Sequence, residues 1–390
     1  MNNEHQRLYA LTEAILNQMQ THGGAIPFQN WMQAALYQPK LGYYESEEIF
    51  GQEGDFITAS AMGSWLALGF AESIHKSWLA LGSPNTWTLI EQGGGSGDLL
   101  CNTLKTLKEL GLSPTQTIAV ETSAQLRQRQ QENFQKHGLD ITQCVTLQDI
   151  KPVAFAIMFS NELPDAFPVQ AFVWQNKRKI ERGVDWDGEK FVWVELGEIG
   201  SKKNAAETTD IAETIQAAWP EGYISEFNPH LATWQRDISA IFEKGIVLTV
   251  DYGYTQQEYY RPQRIEGTLM GHHKHQVVDD VLKLSPGVCD ITAHIDFSAL
   301  KHAGERIGLE AIAYTTQGAW LAQSAQVQQH IQKLAEYPDV DSIAQITQAK
   351  RLMLPNGMGE SFKLLIQGKG ISKENSQSLV APVFDRLHTL

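Results

Sequence analysis

The sequence predicts an α/β fold built on a Rossmann-like, mostly parallel sheet. Three observations carry that expectation. Between residues 86 and 175, strand-like apolar runs alternate with helix-like stretches, the pattern of β-α-β units. The first of these strands runs into Gly93-Gly94-Gly95-Ser96-Gly97-Asp98, a glycine turn that opens a helix. After a stretch that breaks the rhythm, Ile246-Val247-Leu248-Thr249-Val250 restores buried-strand character.

Each element follows from its local pattern. Leu8, Leu11, Ile15 and Met19 recur at helical spacing and predict an amphipathic N-terminal helix. Residues 1–80 read as a mainly helical region, broken by an aromatic and glycine-rich stretch from Trp31 to Thr58. A strand follows over Thr86–Gln92, a helix over Asp98–Leu110, a strand over Thr117–Glu121 and a helix over Ser123–His137. Val145–Leu147 reads as a short strand and Ala154–Ser160 as a strong buried one. Residues 176–240 are expected to form an inserted subdomain. Within it, Lys179–Val184 and Lys190–Leu196 flank Asp185-Trp186-Asp187-Gly188, a hairpin turn, and 198–218 is a polar, helix-prone excursion. Gly245–Asp251, Leu309–Tyr314 and Phe362–Gln367 complete the strands, so the core is expected over 81–175 and 241–370. Residues 371–390 read as a loose polar tail.

With 390 residues, 42% of them hydrophobic, the chain can bury a full core. A formal net charge of −14 argues against binding nucleic acid through its phosphates and suits a cationic substrate, such as a basic peptide segment. Cys101, Cys144 and Cys289 form no pair motif, which suits a reducing compartment. No apolar run is long enough to span a membrane, and Met1 to Gln20 lacks the features of a signal or transit peptide. The expected location is cytoplasmic.

The glycines fall at 93, 95 and 97, two residues after the acid Glu91. A dinucleotide fingerprint begun at Gly93 would end in glycine at 98, where Asp98 stands, which counts against a nicotinamide oxidoreductase. An acid at the strand end with alternate glycines fits S-adenosylmethionine better. That molecule has no pyrophosphate, and its ammonium can face Glu91. Gly93 and Gly95 can adopt positive φ and let a ligand approach the backbone. Glu121, at the end of the second strand, is placed to accept both hydroxyls of a ribose; an exposed or helix-terminal acid is the alternative.

Asn161-Glu162-Leu163-Pro164-Asp165 follows the strong buried strand, where ligands of open α/β sheets lie. Asn161 could orient a substrate amino group, and Glu162 and Asp165 could hold a guanidinium; a helix-capping loop is the other reading. Asp251 ends the next parallel strand and would face the same crevice. Gly54, Asp55 and Thr58 could close a lid over the cofactor, or Asp55 and Thr58 could cap the following helix. His272-His273-Lys274-His275 lacks a zinc-site spacing, and no metal is expected.

The chain resembles the MidA-like S-adenosylmethionine-dependent methyltransferases, whose mitochondrial members are complex I assembly factors and protein arginine methyltransferases. The matching blocks include Leu36–Tyr44, Phe50–Thr58, Glu91–Leu99, Val120–Gln130, Asn161–Val169, Asp251–Gly253, Gly287–Phe297 and Gly357–Lys363. The resemblance implies a class I methyltransferase core of seven strands, the last antiparallel, with S-adenosylmethionine as cofactor. It implies that Glu91, Gly93, Gly95, Gly97 and Glu121 bind the cofactor beneath the Gly54, Asp55 and Thr58 lid. Asn161 serves in both sets, as cofactor contact and as the floor of the acceptor site. With Glu162 and Asp165, and Asp251 as third carboxylate, it would handle a substrate guanidinium. The partner implied is a protein with an exposed arginine, without nucleic acid or membrane insertion; a homodimer is compatible with the chain. The family usually shows a Pro-Glu pair after Gly-Asp-Phe-x-Thr, where this chain has Ala59-Ser60-Ala61-Met62. That departure sustains an alternative reading, a non-catalytic scaffold that keeps the fold.

Overall fold

A computed structural model of the chain describes residues 3–46, 57–199, 211–274, 276–372, 374 and 379–390, with the backbone alone over 57–63. The chain divides into two units, each drawn from three stretches. Phe56–Leu163, Thr233–Gly253 and Leu300–Leu390 form the larger, and Met1–Asp55, Pro164–Ala232 and Tyr254–Ala299 the smaller.

The larger unit holds strands β1 (Thr88–Gln92), β2 (Gln116–Val120), β3 (Thr142–Cys144), β4 (Val153–Asn161), β5 (Phe242–Tyr254), β6 (Glu310–Thr316) and β7 (Phe362–Lys369). They lie in the order β3-β2-β1-β4-β5-β7-β6. β3, β2, β1, β4 and β5 pair in parallel, whereas β7 runs antiparallel to both β5 and β6. This is the seven-stranded class I methyltransferase sheet. The centre is apolar on both faces: Ala156, Ile157, Met158 and Phe159 of β4 and Ile246 and Leu248 of β5 have no exposed surface. Helix α1 (Ile57–Ala80) covers one face. Its Phe70 ring lies 4.9 Å from that of Phe159 and 5.0 Å from that of Trp320. Helices α2 (Asp98–Glu109) and α3 (Ala124–Lys136) follow β1 and β2.

The smaller unit carries an antiparallel sheet ordered Ile26–Pro27, Arg178–Trp186, Gln170–Gln175, Ile224–Phe227, with Phe191–Glu198 paired on Arg178–Trp186. The expected hairpin is present: Asp187 Oδ1 accepts the Glu189 and Lys190 N–H groups, both at 2.9 Å, and closes the turn. Among its buried groups, the Glu226 carboxylate accepts from Tyr259 Oη (2.7 Å) and from the Thr268 hydroxyl and N–H (2.6 and 2.8 Å).

Four expectations are corrected. The helical region 1–80 is not one element of the architecture, and the smaller unit is larger than an insertion at 176–240. Leu11, Ile15, Phe28 and Trp31 pack with Val169, Val184, Phe191 and Ile291, while Trp65 and Phe70 pack with the strands of the other unit. The short strand sits at 142–144 rather than 145–147, because the Thr146 N–H donates to Asp149 Oδ2 (2.8 Å) and bends the chain into a helical turn. The C-terminal residues are not a loose tail. Leu379 and Val380 are buried, the Tyr314 N–H donates to Asp385 Oδ1 (3.1 Å), and the Arg386 N–H to the Tyr314 carbonyl (2.6 Å). The 198–218 excursion lies largely outside the described residues.

One packing prediction follows from Gly304, in the helix Phe297–Glu305. A Cβ there would sit 2.1 Å from Gln367 Nε2 and 2.7 Å from Gln235 Oε1. Both glutamines are fully buried, so they must repack within the core to admit the methyl. Gly304→Ala is therefore expected to destabilise the protein by about 1–3 kcal/mol, the usual cost of overpacking. Urea denaturation measures this directly, and an unchanged midpoint would refute it.

Candidate functional site

β2 lies on one side of β1 and β4 on the other, so the chain reverses its direction of travel across the sheet at β1. The crevice at such a switch point, beyond the carboxyl ends of the strands, is where open α/β sheets bind ligands. Here it is framed by Glu91 and the glycine turn after β1, Glu121 after β2, and Asn161 and Glu162 after β4.

The turn is built by glycine for several different reasons. Gly93, Gly95 and Gly97 have φ of 72°, 54° and 81°, values that other residues adopt with strain. Gly97, in the left-handed conformation, starts α2 and donates to the Gly94 carbonyl (2.8 Å). A Cβ on Gly94 would lie 2.1 Å from Glu91 Oε2, whereas one on Gly95 would meet nothing within 4 Å. One face of the turn thus rests on the Glu91 carboxylate and another is open.

Glu91 is only 1% exposed, and among the described residues neither carboxylate oxygen has a hydrogen-bond partner. Burial, then the charges of Glu121 and Asp98, push its carboxyl up to about 8. An acid so placed asks for a cation or for a donor supplied by a ligand. Glu121 is also buried; its Oε1 accepts the Ser123 N–H (2.9 Å), and its carbonyl accepts Arg127 Nη1 (2.7 Å). Asp98 accepts from Ser96 Oγ (2.7 Å) and Asn133 Nδ2 (2.9 Å).

At the end of β4, Glu162 takes a left-handed φ of 51°, unusual for a non-glycine residue, and its N–H donates to the Val250 carbonyl of β5 (3.0 Å). Its carboxylate is exposed and accepts Asn161 Nδ2 at 3.2 Å. The Asn161 Oδ1 is buried and makes no hydrogen bond among the described residues. Asp251 falls inside β5 rather than at its end, fully buried opposite Lys363 of β7, with its Oδ1 taking the Tyr252 N–H (2.8 Å).

The structure thus gathers Glu91, Gly93, Gly95, Gly97, Glu121, Asn161 and Glu162 at strand ends of one sheet. Asp165 belongs to the smaller unit, where it is buried and its carbonyl accepts the Ala293 N–H (3.0 Å). Gly54 and Asp55 lie outside the described residues. Thr58 and the Ala59–Met62 stretch fall on the first turns of α1, where only the backbone is described. Sequence reasoning passed over Gly94, Gln130 and Asn133. Gly94 was hidden among glycines chosen for their backbone, and the other two by the polar character of α3.

The residues present fit S-adenosylmethionine: orphaned Glu91 oxygens for its positive charge, the Glu121 carboxylate for hydroxyls, and an open turn face for close approach. Comparison with known proteins agrees. A family model described as "Putative S-adenosyl-L-methionine-dependent methyltransferase" matches residues 70–315. The zebrafish (Danio rerio) protein arginine methyltransferase NDUFAF7, mitochondrial, is 27% identical, over 87% of this chain and 82% of its own. Its Drosophila melanogaster homolog is 25% identical, over 89% and 82%. A Burkholderia thailandensis protein crystallised with S-adenosyl-homocysteine is 29% identical and superposes with a TM-score of 0.86, covering 100% of this chain and 99% of that one.

Proposed function

We infer the function from one premise: this chain belongs to that family of S-adenosyl-L-methionine-dependent methyltransferases. S-adenosylmethionine is its cofactor. We propose that the methyl acceptor is an arginine of a protein. The observation that carries this reading is the pair at the end of β4. Asn161 Nδ2 donates to the Glu162 carboxylate, and the Asn161 amide oxygen makes no hydrogen bond among the described residues, so the pair offers two kinds of acceptor. A guanidinium is a flat fork of five N–H donors with a delocalised charge, and such a pair matches it. The names of the NDUFAF7 relatives point to the same substrate class.

In this reading, Glu91 faces the cofactor's positive charge and Glu121 its ribose. The cofactor supplies a methyl group on a sulfonium, open to in-line attack. The protein's part is to align a nucleophile and exclude water. Glu162 holds the guanidinium charge toward one edge, which leaves more lone-pair density on the nitrogen at the other. Asn161 Oδ1 accepts one N–H and fixes the plane.

Glu162→Gln is expected to lower kcat by roughly 100-fold, a typical cost of losing one aligned charged contact, with little change in cofactor affinity. The assay supplies isotopically labelled S-adenosylmethionine and a cell extract to the purified enzyme and locates the label by peptide mass spectrometry. Label on arginine that is lost in the variant supports the proposal. Label confined to other residues, or undiminished in Glu162→Gln, refutes it.

A further inference from the structure

Two side chains of α3 reach back to the glycine turn. Gln130, fully buried, donates from Nε2 to the Gly95 carbonyl (3.1 Å), and Asn133 donates from Nδ2 to the Ser96 carbonyl (3.1 Å). Each amide has its orientation fixed by a second partner. Gln143 Nε2, held also by the Arg127 carbonyl (2.8 Å), donates to Gln130 Oε1 (3.1 Å), so the donor end of Gln130 must face the turn. Asn133 Nδ2 is shared with the carboxylate of Asp98, which only a donor can approach (2.9 Å).

In a trans peptide the N–H points opposite to the preceding carbonyl, and no cis peptide is present among the described residues. Drawing the Gly95 and Ser96 carbonyls toward α3 therefore turns the Ser96 and Gly97 N–H groups the other way. The Gly97 N–H closes the turn on Gly94, and the Ser96 N–H has no hydrogen bond among the described residues.

We propose that Gln130 and Asn133 are positioning residues for the cofactor, setting the peptide planes of the glycine turn from behind so that its amide face meets the ligand. The proposal rests on reading this turn as the cofactor site. The two side chains need not touch the cofactor; they act through Gly95 and Ser96.

Gln130→Glu is the sharpest test. It keeps the shape but exchanges the amide donor for a carboxyl group, whose ionised form, reached at alkaline pH, repels the Gly95 carbonyl and tips the peptide. Asn133→Asp does the same against Ser96 and Asp98, from a less buried place. Calorimetry with S-adenosylmethionine and with S-adenosylhomocysteine is compared with ligand-free melting and with kcat. The expected result is a 10- to 100-fold weaker Kd for both ligands in each variant, with kcat at saturating cofactor within about threefold. Gln130→Met, which neither donates nor repels, should fall between. A purely structural role would lower the melting temperature while the folded protein kept its Kd. Glu121→Ala and Gly95→Leu serve as controls on the site itself. If these abolish binding while Gln130→Glu and Asn133→Asp keep Kd within twofold, the positioning proposal falls alone. If the controls leave binding intact, the cofactor lies elsewhere and both readings fall.

Discussion

Gly94→Ala is expected to weaken S-adenosylmethionine binding by about 100-fold or more, a loss of roughly 3 kcal/mol. The added methyl would sit 2.1 Å from Glu91 Oε2 and 2.5 Å from its carboxyl carbon. Glu91 is enclosed at 1% exposure and cannot swing into solvent, so the turn must lift. Lifting it moves the backbone that approaches the ligand and parts that backbone from the acid beneath. Gly95→Ala is the informative comparison. Its φ of 54° costs an L-residue on the order of 1 kcal/mol, but the methyl enters open space. Gly95→Ala should therefore lose far less affinity than Gly94→Ala, although Gly95 carries the positive φ and Gly94 does not. Titration calorimetry of both variants decides this. Equal losses would mean that backbone conformation, not contact with Glu91, limits the turn.

Cofactor binding should also strengthen as pH rises from about 5.5 to 7.5. Without ligand, the Glu91 carboxyl is pushed up to about 8, so it holds its proton through that range. Burial is the main cause, and the Glu121 and Asp98 charges add to it. The other titratable neighbour on α2, Cys101, is pushed up to about 12 and stays neutral. A ligand bearing ammonium and sulfonium charges favours the ionised acid, so binding expels the proton. Affinity then rises by up to about tenfold per pH unit until the free acid ionises near 8. Ligand-free stability has the opposite sign. The folded state binds more protons than the unfolded chain between the ordinary carboxyl value of 4.5 and about 8. Stability from this group is therefore complete below 4.5 and falls as pH rises through that window, by up to roughly 1.4 kcal/mol per unit. Melting curves with and without cofactor at several pH values show both trends. Glu91→Gln should flatten each of them, and a pH-independent Kd in the native protein would exclude the linkage.

The sheet was legible because its strands are apolar runs between recognisable helices, and β4 and β5 differ from expectation by only a few terminal residues. The antiparallel setting of β7 was not legible from periodicity; it came from the family resemblance. The division into units was misread for a physical reason. The stripe Leu11, Ile15 and Met19 declares that a helix has a buried face, but not which surface will cover it. At the site, Glu91 and the alternate glycines stood out because strand, acid and turn coincide in the chain. Gln130 and Asn133 did not, since polar residues three apart on a helix look like a solvated face until the turn they grip is placed above them. Gly94 was missed because its need arises from a side chain, not from its own dihedral angles.

The position of β7 bears on how the chain reaches this state. It is made from residues 362–369 yet lies between β5 and β6, which end at residues 254 and 316. During synthesis, both neighbours leave the ribosome long before the strand that joins them. Until then the backbone of β5 lacks its β7 partner over Gly245–Tyr252, an exposed strand edge of the kind that pairs with other nascent chains. Completing the sheet thus requires a late strand to enter between two earlier ones, a non-local pairing of the kind that slows folding.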